Sequence, residues 1–461
     1  MEQLTVEEII NVTNGKLLAG YIDTRISNIS IDSRTIKPDD LFIAIRGKNL
    51  DGHRFVSEAI ARGAIGAIIS KGKFKAKNSI LLQVNDTTKA LANIAGYYRK
   101  KFNPLVIAVT GSNGKTTTKD MIASILSRRM SVVKAKGSYN NDLGVPLTIL
   151  ELNSLTQALI LEIEMNILGE TKRLAEIAKP KIGVVTNIGD THLEFLANRE
   201  NVKKEKAELI QALGTDGIAV LNTDDDMVMG IGAEYPTMQR LTFGINNPAD
   251  VFANKIIDLG TAGTNFLLNG KYRVRLPVPG LHNIYNCLAA VTAALAAGLD
   301  YVSIIPGIEE FKPASMRLEI LRIRGLLIIN DTYNANPQSM AAALNTFAKI
   351  ASEGRRIAVL GDMLELGEKR VAFHRELGKE AANVVDIILA IGNFSRAVID
   401  GALAAGFNSE NLYTFDNNQA AITKLVDILK PKDKILIKGS RAMRLEEIVQ
   451  GIKTSYEKKT D

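Results

Sequence analysis

Short apolar runs recur along this chain, and between them apolar positions return every three or four residues. The runs read as strands buried on both faces, and the stretches between as helices that cover them. Before residue 86 the runs are brief, at 29–31, 41–45 and 64–69, divided by Gly and Asp turns, with one helix expected over 53–61. A second helix, expected over 88–101, closes before Pro104. Strands then alternate with helices at 105–110, 158–163, 182–186 and 217–221. Pro277, Pro279 and Gly280 break that rhythm ahead of an Asn- and Ala-rich helix starting near His282. New strands follow at 326–330, 357–360, 387–390 and 435–437, with helices over 338–350, 370–382 and 419–429. Pro313 and Ser315 mark a hinge between the two alternating regions.

Alternation of this kind builds parallel sheets with crossover helices. We therefore expect an α/β protein of three domains. A small N-terminal α/β module covers 1–85, a central parallel-sheet P-loop domain 86–312, and a C-terminal doubly wound, Rossmann-like domain 313–461. Composition agrees: 46 % hydrophobic and 23 % charged residues suit a folded globular chain and exclude extensive disorder. A lone cysteine, Cys287, rules out a disulfide framework within the chain and fits a reducing, cytoplasmic setting. The first ten residues, MEQLTVEEII, are too acidic for a signal peptide, and no apolar run approaches the ~18 residues of a membrane span. The net charge of +7 is spread along the chain, and with no Trp no stacking platform for nucleic acid stands out. Small polyanions such as nucleotides are the favoured partners, and nucleic acid is not expected.

The strongest chemical signal is LVIAVTGSNGKTTT at 105–118, a strand running through a Gly-rich turn into a helix. Gly111 and Gly114 let backbone N–H groups approach phosphates, and the helix N-terminus adds its dipole. Lys115 can bridge the outer phosphates and the Thr116 hydroxyl can coordinate Mg²⁺. The spacing is the short G-x-x-G-K-T, with Val109 where the longer motif has its first glycine.

Other polar groups fall at the carboxyl ends of strands, where ligands bind in such sheets. Glu164 follows the strand at 158–163, and Asp190 and His192 follow the strand at 182–186. Carboxylate and imidazole near phosphate oxygens suit divalent cations. The run VKKEKAE at 202–208 lies on an expected helix. A lysine there that faced the cations would have its ammonium form disfavoured, and the neutral amine can add CO₂ to become a carbamate. The residues alone do not choose among the lysines. Three Asn-rich clusters complete the set: 137–146, 282–286 and 330–337. In the second, Asn283 and Asn286 are either helix caps or readers of an adenine edge.

Together these motifs resemble the Mur ligase family of peptidoglycan synthesis over nearly the whole chain. The resemblance implies an ATP-dependent amide-forming ligase with two Mg²⁺ ions and a carbamylated lysine, Lys206, in the Lys-x-Glu setting of 206–208. It implies a phosphate loop of Gly111, Ser112, Asn113, Gly114, Lys115, Thr116 and Thr117. Asn140 and Asn141 match the family's Asn-Asn loop, and Glu164 and His192 its second cation site. Asn283 would contact adenine, Arg317 a phosphate, and Asp331, Tyr333 and Asn336 would approach the nucleotide. Ser33, Arg34 and Gly47 resemble the UDP-sugar site. The segments at 331–340, 360–367 and 438–441 imply UDP-N-acetylmuramoyl-tripeptide and D-alanyl-D-alanine as the substrates of a monomeric enzyme. One departure is Asn166, where members often carry Gly two residues after the cation-binding glutamate. Two readings compete. A folylpolyglutamate synthase type of ligase is opposed by Ser33, Arg34 and the Tyr-Asn-Ala-Asn-Pro segment at 333–337. A P-loop switch or motor is opposed by the short loop spacing.

Overall fold

The computed structural model describes residues 1–47, 49–74, 79–165, 168–351 and 353–457. Asn166 lies outside them. The chain forms two compact units, one of residues 1–110, 129–183 and 208–218, the other of 111–128, 184–207 and 219–461.

In the first unit a five-stranded sheet runs in the order Lys16–Ala19, Ile80–Gln83, Gly66–Ile69, Asp40–Ile43, Asn28–Ser30. All its neighbours are parallel except the outermost, Lys16–Ala19. The central strands Asp40–Ile43 and Gly66–Ile69 are buried at every position, so they read as continuous apolar runs. Their side chains still alternate. Leu41, Ile43 and Ile68 face one apolar cluster, and Phe42, Ala67 and Ile69 another. Asp86 caps the helix Thr87–Lys100 by accepting from the N–H groups of Thr88 and Lys89 at 2.8 and 3.0 Å. That helix buries Leu91, Ile94, Ala95 and Tyr98 on one stripe. The Tyr98 hydroxyl donates to the Leu152 carbonyl at 2.7 Å, satisfying its polar end. Strand Leu105–Thr110 pairs in parallel with Ala158–Glu162, which pairs in parallel with Val132–Lys134.

The second unit holds the phosphate-loop helix Lys115–Leu126 and a six-stranded sheet. The sheet order is Glu319–Ile323, Leu326–Asp331, Lys434–Lys438, Arg356–Gly361, Ile387–Ile391, Leu412–Phe415. It is parallel apart from the first hairpin. Ile329, Leu360 and Ala390 enter one core, while Ile328, Val359 and Leu389 enter a second on the opposite face. This is the doubly wound α/β arrangement expected from the sequence.

A ribbon was not legible in the sequence. Val251–Asp258, Thr264–Leu268 and Tyr272–Leu276 form an antiparallel ladder that extends the strand Gln239–Gly244. Val251–Asp258 is exposed from Asn254 onward, and Thr264–Leu268 and Tyr272–Leu276 alternate buried with less buried positions and carry Arg273 and Arg275, so all three lack the continuous buried run by which the other strands were recognised. Among the described residues no helix is long and apolar enough to cross a membrane.

Candidate active site: a laced phosphate loop

The loop between Thr110 and Lys115 turns through two left-handed glycines, Gly111 at φ +145° and Gly114 at φ +83°. A Cβ on Gly111 would run into the Thr186 hydroxyl, and one on Gly114 into the Asn286 carboxamide. The loop is laced to the segment after strand Ile182–Val185. The Asn113 peptide and the Asn187 side chain exchange two hydrogen bonds, at 2.9 and 3.0 Å. Thr186 Oγ1 donates to the Asn113 carbonyl at 2.6 Å, and the Gly189 N–H donates to Ser112 Oγ at 2.8 Å. Lys115 is buried, its ammonium folded back onto the carbonyls of Gly111 at 2.7 Å and Ser112 at 3.3 Å. The loop is thereby held in one shape with its N–H groups gathered at a helix start, the geometry of an anion site.

Side chains from the C-terminal sheet region close on the same loop. Arg317 Nη2 donates to Thr116 Oγ1 at 2.8 Å, and its guanidinium lies 3.9 Å from the Tyr333 ring centroid. Asn336 Nδ2 donates to Asn113 Oδ1 at 2.7 Å, and Asn113 Nδ2 donates to Gln338 Oε1 at 3.1 Å. Arg317 is held by backbone on both sides, between Met316 at φ +62° and Leu318 at φ +48°. Gln338 had no role in the sequence reading; only the fold brings it to the loop.

Two expected nucleotide contacts serve the frame in this structure. Asp331 pairs with the buried Lys438 ammonium at 2.6 Å and accepts the Leu318 N–H at 3.1 Å. Lys438 also donates to the Asn334 carbonyl at 2.9 Å. Asn283 donates to the Pro279 carbonyl at 2.7 Å and accepts from Asn286 at 3.1 Å. The two asparagines thus brace the helix Leu281–Ala296 against the Gly114 turn. Burial pushes the neighbouring His282 imidazole down to about 4, against the pull of Asp331, so the ring is neutral at pH 7.

His192 stands at φ +55°, with Nδ1 2.8 Å from Glu365 Oε2. On the helix Arg199–Gln211 the lysines divide sharply. Lys204 is exposed, Lys203 pairs with Glu234 at 2.6 Å, and Lys206 has no solvent exposure.

In the first unit the strand ends at Glu162, two residues before the expected carboxylate. Asn140 Nδ2 donates to Glu162 Oε1 at 2.9 Å and to Glu164 Oε2 at 3.3 Å. Glu162 is almost fully buried, and sequence reasoning passed over it because it was counted inside the strand. Asn141 accepts from the N–H groups of Leu143 and Gly144, at 3.1 and 3.0 Å, and so shapes the turn into the helix Gly144–Ile149. Arg34 is exposed; it donates to both Asp32 oxygens, at 2.9 and 2.7 Å, and this holds the Asp32 carboxyl down to about 2. Ser33 is buried, and the Gly47 N–H donates to the Leu50 carbonyl at 2.8 Å.

Oxygen and imidazole donors beside a phosphate loop suit Mg²⁺, which keeps several waters and takes one or two protein ligands with substrate phosphates. Among the described residues no group of three or more His, Cys, Asp or Glu is gathered. Gly114→Ala should cost about 1–2 kcal/mol from the left-handed backbone alone. It should also weaken ATP binding, read by calorimetry; unchanged affinity would mean that the loop shape does not matter.

Three family models match the chain in order. They are the Mur ligase family catalytic domain over residues 25–99, the Mur ligase middle domain over 109–294, and the Mur ligase glutamate ligase domain over 316–441. The chain is 33 % identical over 457 residues to the UDP-N-acetylmuramoyl-tripeptide–D-alanyl-D-alanine ligase of Bacillus subtilis, covering 98 % of this chain and 99 % of that one. A crystal structure of MurF from Acinetobacter baumannii superposes with a TM-score of 0.91 at 34 % identity, covering 98 % and 99 % of the two chains. The MurF ligase of Thermotoga maritima, solved in complex with ADP, gives 0.81 at 28 %, covering 94 % and 98 %.

Proposed function

The chain belongs to the Mur ligase family, and from that premise we propose that it joins D-alanyl-D-alanine to UDP-N-acetylmuramoyl-tripeptide using ATP. The product is the pentapeptide precursor of peptidoglycan. The terminal carboxylate of the tripeptide attacks the γ-phosphorus, the bond to the β-phosphate oxygen breaks, and ADP leaves. The amine of the dipeptide attacks the resulting acyl phosphate, phosphate departs, and the amine gives up its proton. The short phosphate loop grips the β- and γ-phosphates, and Lys115 neutralises charge on the phosphoryl group in flight. Bound Mg²⁺ would supply further charge neutralisation at the phosphate oxygens.

In the second unit Thr116, His192 and a carbamate on Lys206 serve the cations; in the first, Glu164 does so, with Glu162 beside it on Asn140. The burial of Lys206, against the exposure of Lys204 and the pairing of Lys203, supports the choice among the lysines. Ser33, Arg34 and Gly47 take the UDP-sugar. Segments 1–85, 86–312 and 313–461 act as UDP-sugar, ATP and ligase domains of a cytoplasmic monomer.

The observation that carries this reading is the convergence of Arg317 and Asn336 on Thr116 and Asn113, which gives one phosphate loop contacts from two parts of the chain. Phosphate release from MgATP tests it, with each co-substrate omitted in turn. Release should require both, with a pentapeptide product by mass. Release with a free amino acid in place of the dipeptide would move the chain to another Mur ligase activity, and release without either would favour a simple NTPase.

A further inference from the structure

Along the helix Thr87–Lys100 the first unit carries a groove of about 820 Å³, within the size range of small-molecule sites. Its walls are that helix, Val12 on the helix Val6–Thr13, the loop residue Asp142, and the helix Glu170–Ala178 with Lys179 just beyond it. Five cations and three carboxylates line it, a surplus of two positive charges. Arg173 is paired with Asp142 at 2.9 Å, and Asp86 accepts the N–H groups of Thr88 and Lys89. Lys89, Arg99, Lys100 and Lys179 make no ion pair and no side-chain hydrogen bond among the described residues.

The helix dipole favours cations in its last turn, which accounts for charge at Arg99 and Lys100. It does not account for two further features. Arg99 Nε is buried with no hydrogen-bond partner. Burial pulls the guanidinium below the usual arginine range, and no carboxylate pulls it back. A charge is thus kept partly out of water without compensation, which costs stability until an anion arrives. The second feature is Gly96, in the interior of the helix, where glycine is disfavoured. Packing does not require it, since a Cβ there would meet only Ile177, at an ordinary 3.9 Å. Gly96 and Ala92 share a helix face with Lys89 and Arg99, so short side chains keep the floor open between the two cations. Those cations stand ten residues apart, about 15 Å along the helix.

We propose that this groove is a binding site for a small molecule carrying a polyphosphate group, with Arg99 as its principal anion contact and Ala92 and Gly96 as the floor beneath the ligand. A guanidinium matches phosphate oxygens with a bidentate fork, and the lysines add charge along the row of phosphates. The spread of the cations calls for an extended anion, since a single phosphate would reach one end of the stripe only. The site is separate from the phosphate loop and goes beyond the ligase reading.

Calorimetry on the full chain tests it, with inorganic tripolyphosphate as the probe and saturating ADP to occupy the phosphate loop. Wild type should bind one equivalent. Arg99→Met should weaken that binding about tenfold, and Ala92→Glu, which sets a carboxylate on the floor, should abolish it. Both variants should keep wild-type ligase turnover. A melting curve separates binding from structure. Arg99→Met should hold or raise the midpoint, because it removes an uncompensated charge. A lowered midpoint would assign Arg99 to packing and overturn its role. No binding by wild type, or an affinity unmoved in either variant, overturns the proposal. Binding to phosphatidylglycerol vesicles without binding of tripolyphosphate would overturn it in favour of a lipid surface. Tripolyphosphate binding by a chain that makes no pentapeptide would leave this proposal standing and overturn the ligase reading alone.

Discussion

Lys115→Ala should lower kcat by about 10²–10³-fold, the scale seen when one donor to a developing charge is removed. The backbone N–H groups of the loop and the N-terminus of helix Lys115–Leu126 stay in place, so ATP should still bind and activity should fall short of zero. The ammonium is what the variant removes. Here it lies on the carbonyls of Gly111 and Ser112, above the turn that the phosphates would enter. The fold should survive, because the lacing from Thr186, Asn187 and Gly189 does not pass through this side chain. Single-turnover phosphate release at saturating ATP, beside a melting curve, measures both. Unchanged turnover with an unchanged melt would remove Lys115 from the chemistry.

Lys438→Met should destabilise the second unit by roughly 3 kcal/mol, the usual cost of breaking a buried ion pair and stranding one partner. Lys438 is 3 % exposed, and Asp331 would be left facing the Leu318 N–H without its cation. Removing both charges, as Lys438→Met with Asp331→Leu, should recover much of that loss, since no charge is then left unpaired and only the Leu318 N–H and the Asn334 carbonyl lose a partner. Denaturant midpoints for the single and double variants decide the point. A double variant as unstable as the single one would show that the Asp331 bond to the Leu318 N–H matters more than the charge. The pair also separates two roles for Asp331. A direct contact to the nucleotide predicts a large rise in the KM for ATP in the double variant, whereas a framing role predicts a change of a few-fold at most.

Most of the fold was legible because its strands are buried on both faces. The strands Leu326–Asp331, Arg356–Gly361, Ile387–Ile391 and Lys434–Lys438 stand within a residue or two of their expected bounds. The ladder of Val251–Asp258, Thr264–Leu268 and Tyr272–Leu276 was not, since short strands buried on one face only, with charged residues between, show no continuous apolar run. In the candidate site the strand, the two left-handed glycines and the helix start at Lys115 were legible to the residue, whereas Glu162 was passed over because it lies inside its strand, as expected, and only the fold turns it to Asn140.

The sequence by itself determined what local chemistry can determine. A strand, two glycines free to take left-handed backbone and a Gly-Lys-Thr helix start fix the path of this turn, because each part is set by neighbours in the chain. The ordered motifs likewise carried the family. Tertiary structure alone decided what each polar side chain does with its capacity for hydrogen bonds. It set Asp331 on Lys438 and Asn283 on Pro279, left Lys206 as the buried lysine of its helix, and brought Glu365 to His192. The reason is that a polar group's role depends on its partner, and here the partners come from distant parts of the chain. Their meeting is fixed by how the elements pack, which no local pattern encodes.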